Sequence, residues 1–110
     1  MIVKDLMNIE GVQCINKLDI IDQEIENVYI GDLLSWVMGH IEENSVWLTV
    51  QNHLNVIAVA HLHDVLAIIF VEGAFPLEET IDKANEQNIP LFVYDGTSYE
   101  LAVILSGMIV

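Results

Sequence analysis

Short apolar runs alternate along this chain with stretches in which apolar residues recur every three or four positions. That alternation predicts strands followed by helices. Val3 to Ile9 reads as a short opening helix closed by Gly11, and Val12 to Ile15 as a short strand. Asn16 to Asn27 is polar and acidic and reads mostly as connection. Val28 to Ile30 forms a strand ending at Gly31. Asp32 then caps a helix with Leu33, Leu34, Val37, Met38 and Ile41 on its inner face. Val46 to Val50 has the β-branched and aromatic residues of a strand. Asn52 to Leu62 is apolar nearly all round and predicts a well-buried helix. Leu66 to Val71 is a continuous apolar run, the mark of a strand covered on both faces in a parallel sheet. Pro76 opens the next helix near its first turn, with Leu77, Ile81 and Ala84 inward and Glu78, Glu79, Asp82 and Lys83 toward water. Pro90 to Tyr94 is a buried strand. Thr97 and Glu100 have the T-x-x-E spacing of a capping box, which starts a strongly apolar helix from Ser98 to Met108.

Strands regularly followed by helices predict a mostly parallel sheet of four or five strands with right-handed crossovers, in a three-layer α/β/α fold. The 110 residues fit one domain, 1–110, with no linker, repeat or low-complexity segment. In doubly wound sheets, ligands bind outside the carboxyl ends of the strands. The polar turn residues fall there: Gly31 and Asp32; Gln51, Asn52, His53 and Asn55; Glu72 and Gly73; Asp95, Gly96, Thr97 and Ser98. The topology predicts that Asp32, Gln51, Asn52, His53 and Thr97 line one crevice.

Each candidate has a functional and a structural reading. Gln51, Asn52, His53 and Asn55 are four hydrogen-bonding side chains within five positions, and carboxamides suit a base edge or another amide. Alternatively, Asn52 or His53 caps the following helix. Gly31 and Asp32 either offer helix amides to a ligand or make a turn and a cap. Asp95 to Ser98 make an anion nest or simply the capping box. His61, His63 and Asp64 look like metal ligands on paper. However, H-x-H spacing on a helix splits the imidazoles between faces, and histidines near a helix carboxyl end need no metal to explain them. No metal site is assigned. Asp32, His53 and Ser98 could be drawn as a triad, but no nucleophile-elbow motif supports it. Cys14 reads as an inert core thiol, and Trp36 and Trp47 as core or interface residues.

Charge narrows the partners. The formal net charge is −14, with Lys4, Lys17 and Lys83 as the only Lys or Arg residues. Such a chain repels nucleic acid and anionic membranes. Without arginine, stabilisation of phosphoryl transfer is poorly provided for. No G-x-x-x-x-G-K-[ST] loop, G-x-G-x-x-G or kinase motif set is present, so no catalytic residue is assigned and the chain reads as a non-enzyme. One cysteine suits a reducing compartment, and the amino-terminal residues lack a signal-peptide pattern, so a cytoplasmic location is expected. The longest apolar stretch, Val56 to Val71, is interrupted by His61, His63 and Asp64 and does not read as a membrane span.

Two segments carry a resemblance. GDLLSxVM at Gly31 to Met38 and QxHxNxxAVA at Gln51 to Ala60, followed by EETIDKANEQNIPLFVYDGTSYELAVIL, resemble the core of DRTGG-domain proteins over roughly Asn27 to Leu105. The namesake D-R-T-G-G segment is absent, and the matching turn reads VEGAFP. The resemblance implies a stand-alone DRTGG-like domain with the fold of the N-terminal domain of HPr kinase. It also implies a regulatory or ligand-sensing role, with a link to iron-only hydrogenase or central-metabolism regulation. The kinase activity of the bifunctional family members lies in a different domain.

These readings give a non-enzymatic binding module that takes a small molecule of unknown identity or an enzyme partner. The ligand site would comprise Asp32, Gln51, Asn52, His53, Asn55, Glu72, Gly73, Thr97 and Ser98, with no cofactor identified. The alternatives are a small enzyme using His53 with Asp32 or Ser98, or a pure protein-interaction subunit. Leu101 to Leu105 and Met108 to Val110 put apolar side chains on nearly every face of the last helix, which predicts a homodimer through it.

Overall fold

The computed structural model describes every residue except Lys17, Ile21 and Val110, so the readings of Lys17 as a cation and of Val110 as part of the last helix lie outside the described residues. A 3₁₀ helix, Val3–Asn8, opens the chain, followed by strands β1 (Val12–Cys14) and β2 (Asn27–Ile30). Three strand-to-strand crossovers come next, through α1 (Leu34–His40), β3 (Ser45–Thr49), α2 (Asn55–Leu62), β4 (Ala67–Phe70), α3 (Glu78–Gln87) and β5 (Leu91–Tyr94). Helix α4 (Ser98–Ser106) follows. The sheet order is β1-β5-β4-β3-β2, with β2 to β5 parallel and β1 antiparallel to β5. This is the expected three-layer α/β fold with a mostly parallel sheet.

The winding differs from the doubly wound expectation. Each parallel strand is laid beside the one before it, so right-handed crossovers put α1, α2 and α3 on one face. Val37, Ile57, Ala60 and Ala84 accordingly pack with Trp47, Ile68, Phe70 and Leu91. The 3₁₀ helix and α4 cover the other face, where Val3, Leu6, Leu101 and Leu105 pack with Val46, Leu48, Ile69 and Phe92. Successive strand residues divide cleanly between the two cores, as the period of two requires. Both faces are covered, which is why β3 and β4 are buried at every position.

Several local expectations are corrected. Asp32 does not cap α1; Leu33 occupies the cap position without a side-chain bond. Only Val37 and Ile41 of the expected inner face are fully buried, while Leu33 is 67% exposed and Met38 is exposed. A seven-residue helix on the end crossover is too short and too peripheral to bury a broad face. Helix α2 begins at Asn55, so neither Asn52 nor His53 caps it; Ala58, His61 and Leu62 face outward. Pro76 precedes the Leu77 cap of α3, and buried Thr80 takes the inward place expected of Leu77. Cys14 lies half-buried on an edge strand, with Sγ 3.2 Å from the Asn16 carbonyl oxygen. The capping box of α4 is present: Thr97 Oγ1 accepts from the Glu100 amide at 3.1 Å, and Glu100 Oε1 accepts from the Thr97 amide at 3.0 Å. Leu101 and Leu105 of α4 are buried and Val103 and Ile104 exposed, so the helix leaves an apolar stripe and not an all-round apolar surface.

That capping box predicts a pH response. The Thr97 backbone bond, then its side-chain bond, hold the Glu100 carboxyl below its ordinary value. A carboxylate depressed in the folded state stabilises the fold above its unfolded pKa, and the contribution is lost as pH falls through the folded value. Unfolding midpoints measured across the acidic range should therefore fall less steeply for Glu100→Gln than for the native chain.

Candidate functional site at the carboxyl edge of the sheet

The parallel strands bring four loops to one edge: Gly31–Leu33 after β2, Val50–Leu54 after β3, Val71–Leu77 after β4 and Asp95–Thr97 after β5. All nine expected ligand residues lie in these loops or at the first residue of the helix that follows. Several of their polar groups are committed to hydrogen bonds within the edge. Asp32 Oδ1 accepts from Thr49 Oγ1 at 2.9 Å and from the Val50 amide at 2.8 Å. Thr49 Oγ1 in turn accepts from the Gln51 amide at 3.1 Å. Asn52 Nδ2 donates to the Phe75 carbonyl at 3.1 Å, while the Asn52 carbonyl accepts from Thr80 Oγ1 at 2.8 Å and the Leu77 amide at 3.3 Å. Ser98 Oγ donates to Glu72 Oε2 at 3.1 Å, and the Glu72 amide donates to the Gly96 carbonyl at 2.8 Å. Three bonded sets thus stitch β2 to β3, β3 to β4, and β4 to β5.

The last of these sets spans the point on this edge where the helices that follow neighbouring parallel strands change face. Helix α3, leaving β4, covers one face, and α4, leaving β5, covers the other. A crevice opens at such a point in α/β sheets. Here Glu72 bridges it. Glu72 and Gly73 both adopt left-handed backbone (φ +59° and +79°), which glycine accepts freely and glutamate does not. The bonds to Gly96 and Ser98 hold Glu72 in place. Gly96 also has no room for a side chain, since a Cβ would lie 2.5 Å from the Tyr94 ring.

His53 and Asn55 are exposed, and Gln51 is half-buried. Asp32 and Ser98 are bonded to other groups, so Asp32, His53 and Ser98 are separately satisfied or solvated and do not form a relay. Of the histidine pair, His61 is exposed in the last turn of α2, and His63 ends the helix with Nε2 buried and unbonded. Among the described residues, no three His, Cys, Asp or Glu are grouped to hold a metal ion. No helix among them is long and apolar enough to cross a membrane.

The sequence reading missed two features of this edge. Buried Thr49 and Thr80 organise the loops; the only sequence sign of Thr49 is one hydroxyl at the end of an otherwise apolar strand. The second is apolar: Leu33, Val50, Leu54 and Phe75 all project into solvent beside the polar groups. An open cleft of about 660 Å³ lies at the opposite, amino edge, lined in part by Val3, Asp19, Asn44, Asp64 and Asn88. None of the nine expected ligand residues lines it.

Comparison with protein-family models gives no match, and comparison with curated proteins gives none. Among solved structures, the chain is similar to the CBS and DRTGG domains of the regulatory region of Clostridium perfringens pyrophosphatase, a structure in complex with its activator, diadenosine tetraphosphate. The TM-score is 0.64 at 12% sequence identity, over 91% of this chain and 44% of that one. A likeness at this identity shows the fold alone: the chain has a DRTGG-like α/β fold.

Proposed function

We propose that this domain is a non-catalytic regulatory binding module whose recognition surface is the carboxyl edge of the sheet. The observation that carries this reading is the locking of the edge loops by their own side chains. Asp32, Asn52, Glu72 and Ser98 are held in internal bonds, leaving a cross-braced platform with His53 and Asn55 exposed and apolar side chains beside them. Pre-ordered loops lower the entropic cost of binding. The similar pyrophosphatase region, which is regulatory and holds a nucleotide activator, supports the same role.

The ligand itself would differ. None of the four edge loops contains Lys or Arg. Lys4 pairs with Asp22 and Lys83 with Glu86. A polyphosphate has no cation to meet there, and the chain's own charge repels it. We further propose the homodimer through α4, where Val103 and Ile104 remain exposed. A link to hydrogenase or central-metabolism regulation belongs to the same proposal and rests on the sequence resemblance.

Native mass spectrometry of the gently purified protein tests these points together. A dimer mass with a retained uncharged or cationic small molecule, lost on His53→Ala, is the expected result. Added diadenosine tetraphosphate should leave the spectrum unchanged. Turnover of ATP by the pure protein would overturn the non-catalytic reading. A monomer at micromolar concentration would overturn the dimer.

A further inference from the structure

We propose that the carboxyl edge and the adjoining face of α1 form a docking strip for a basic, amphipathic segment of another protein. The inference rests on the reading of that edge as a binding surface and names its partner. The strip is continuous because the bonds already described join its parts. Asp32, beside Leu33, is bonded to the Val50 amide; Asn52, two residues before Leu54, is bonded to Phe75 and Leu77. From Leu33 the strip continues one helical turn along α1 to Trp36, which is 60% exposed. The Trp36 ring is stacked on His40, with centroids 4.2 Å apart. An exposed tryptophan held flat by a neighbour loses little freedom on binding, and tryptophan is enriched where binding energy concentrates.

The partner's charge follows from what borders the strip. At its α3 end lies a shallow hollow of about 400 Å³, lined by Leu77, Glu78, Glu79 and Asp82. Among the described residues no ion pair takes any of these three carboxylates. One leucine beside three carboxylates suits a Lys or Arg side chain, whose stem is apolar and whose head is charged. A second copy of this chain is a poor occupant, because it brings its own net charge of −14 to the same acidic border. A small apolar molecule would leave most of a strip spanning three loops uncovered. Soluble monomers seldom keep such a contiguous patch exposed.

The test uses the full chain and two synthetic amphipathic helices, one of Leu and Lys and one of Leu and Glu. Trp47 is fully buried, so a change in tryptophan emission reports Trp36. The Leu/Lys helix should shift the emission to the blue, with binding that weakens in salt; the Leu/Glu helix should not bind. The exposed-site double variant Leu54→Ser/Phe75→Ser should weaken binding about tenfold or more. The triple variant Glu78→Gln/Glu79→Gln/Asp82→Asn should weaken it and flatten its salt dependence. Neutralising Glu42 and Glu43 at the opposite edge should leave binding unchanged, which separates docking from general attraction to an acidic protein. Equal binding of both helices, strip variants that bind like the native chain, or strip variants that dissolve a dimer would each overturn the proposal. If the helices fail but a small molecule is retained and then lost on His53→Ala, docking falls and the binding-module reading stands. If both fail, that reading falls with it.

Discussion

Trp47→Ala should destabilise the fold by about 3–5 kcal/mol, the range for truncating a buried aromatic. Trp47 has no exposed surface and lies at the centre of β3, packed in the core beneath α1, α2 and α3. Its ring Nε1 donates to the Gly31 carbonyl at 2.9 Å, which fixes the β2–α1 turn that carries Asp32. Alanine would leave a cavity and an unpaired carbonyl together. A domain of this size has a total stability of only about 5–15 kcal/mol, so the variant should be largely unfolded at moderate temperature. Trp47→Phe separates the two effects: it keeps most of the packing, loses the hydrogen bond, and should cost about 1–2 kcal/mol. Urea unfolding followed by circular dichroism measures both. A Trp47→Ala chain as stable as the native one would mean that the core is not organised around this residue.

Asn16→Ala should cost about 2–4 kcal/mol, through unsatisfied backbone groups and not through lost packing. Asn16 is buried where the chain leaves β1. Its Nδ2 donates to the Ile89 carbonyl at 3.0 Å and to Asn85 Oδ1 at 3.1 Å, and its Oδ1 accepts from the Leu91 amide at 2.8 Å. One carboxamide thus ties the antiparallel edge strand to the end of α3 and the start of β5. Asn16→Asp tests the donor side. A carboxylate can still accept from Leu91 but cannot donate to Ile89, so it should destabilise at neutral pH and recover in part when protonated. Amide exchange at Leu91 is the direct measurement: it should accelerate in Asn16→Ala and stay slow in Asn85→Ala, which leaves the Asn16–Leu91 bond in place.

The sequence alone determined the order of elements, the α/β class and the edge where the loops gather. Those follow from local signals: β-branched apolar runs for β3 and β4, and the T-x-x-E spacing of Thr97 and Glu100 for the start of α4. What the polar groups do at that edge was decided only by tertiary structure. A cap is a local bond, and the position of Asp32 just before a helix predicts one; in the fold, the Thr49 hydroxyl at the end of the neighbouring strand and the Val50 amide after it bind the carboxylate instead. Asn52 likewise bonds across to the loop after β4, over a separation of 23 residues that no window along the chain can see. Burial depends on tertiary neighbours for the same reason. Whether Leu33 faces the core or the solvent depends on what lies across from it, and the winding of successive parallel strands leaves α1 at the end of its layer. Periodicity establishes that a helix has an apolar face; only the packing of the other elements determines how much of that face is covered.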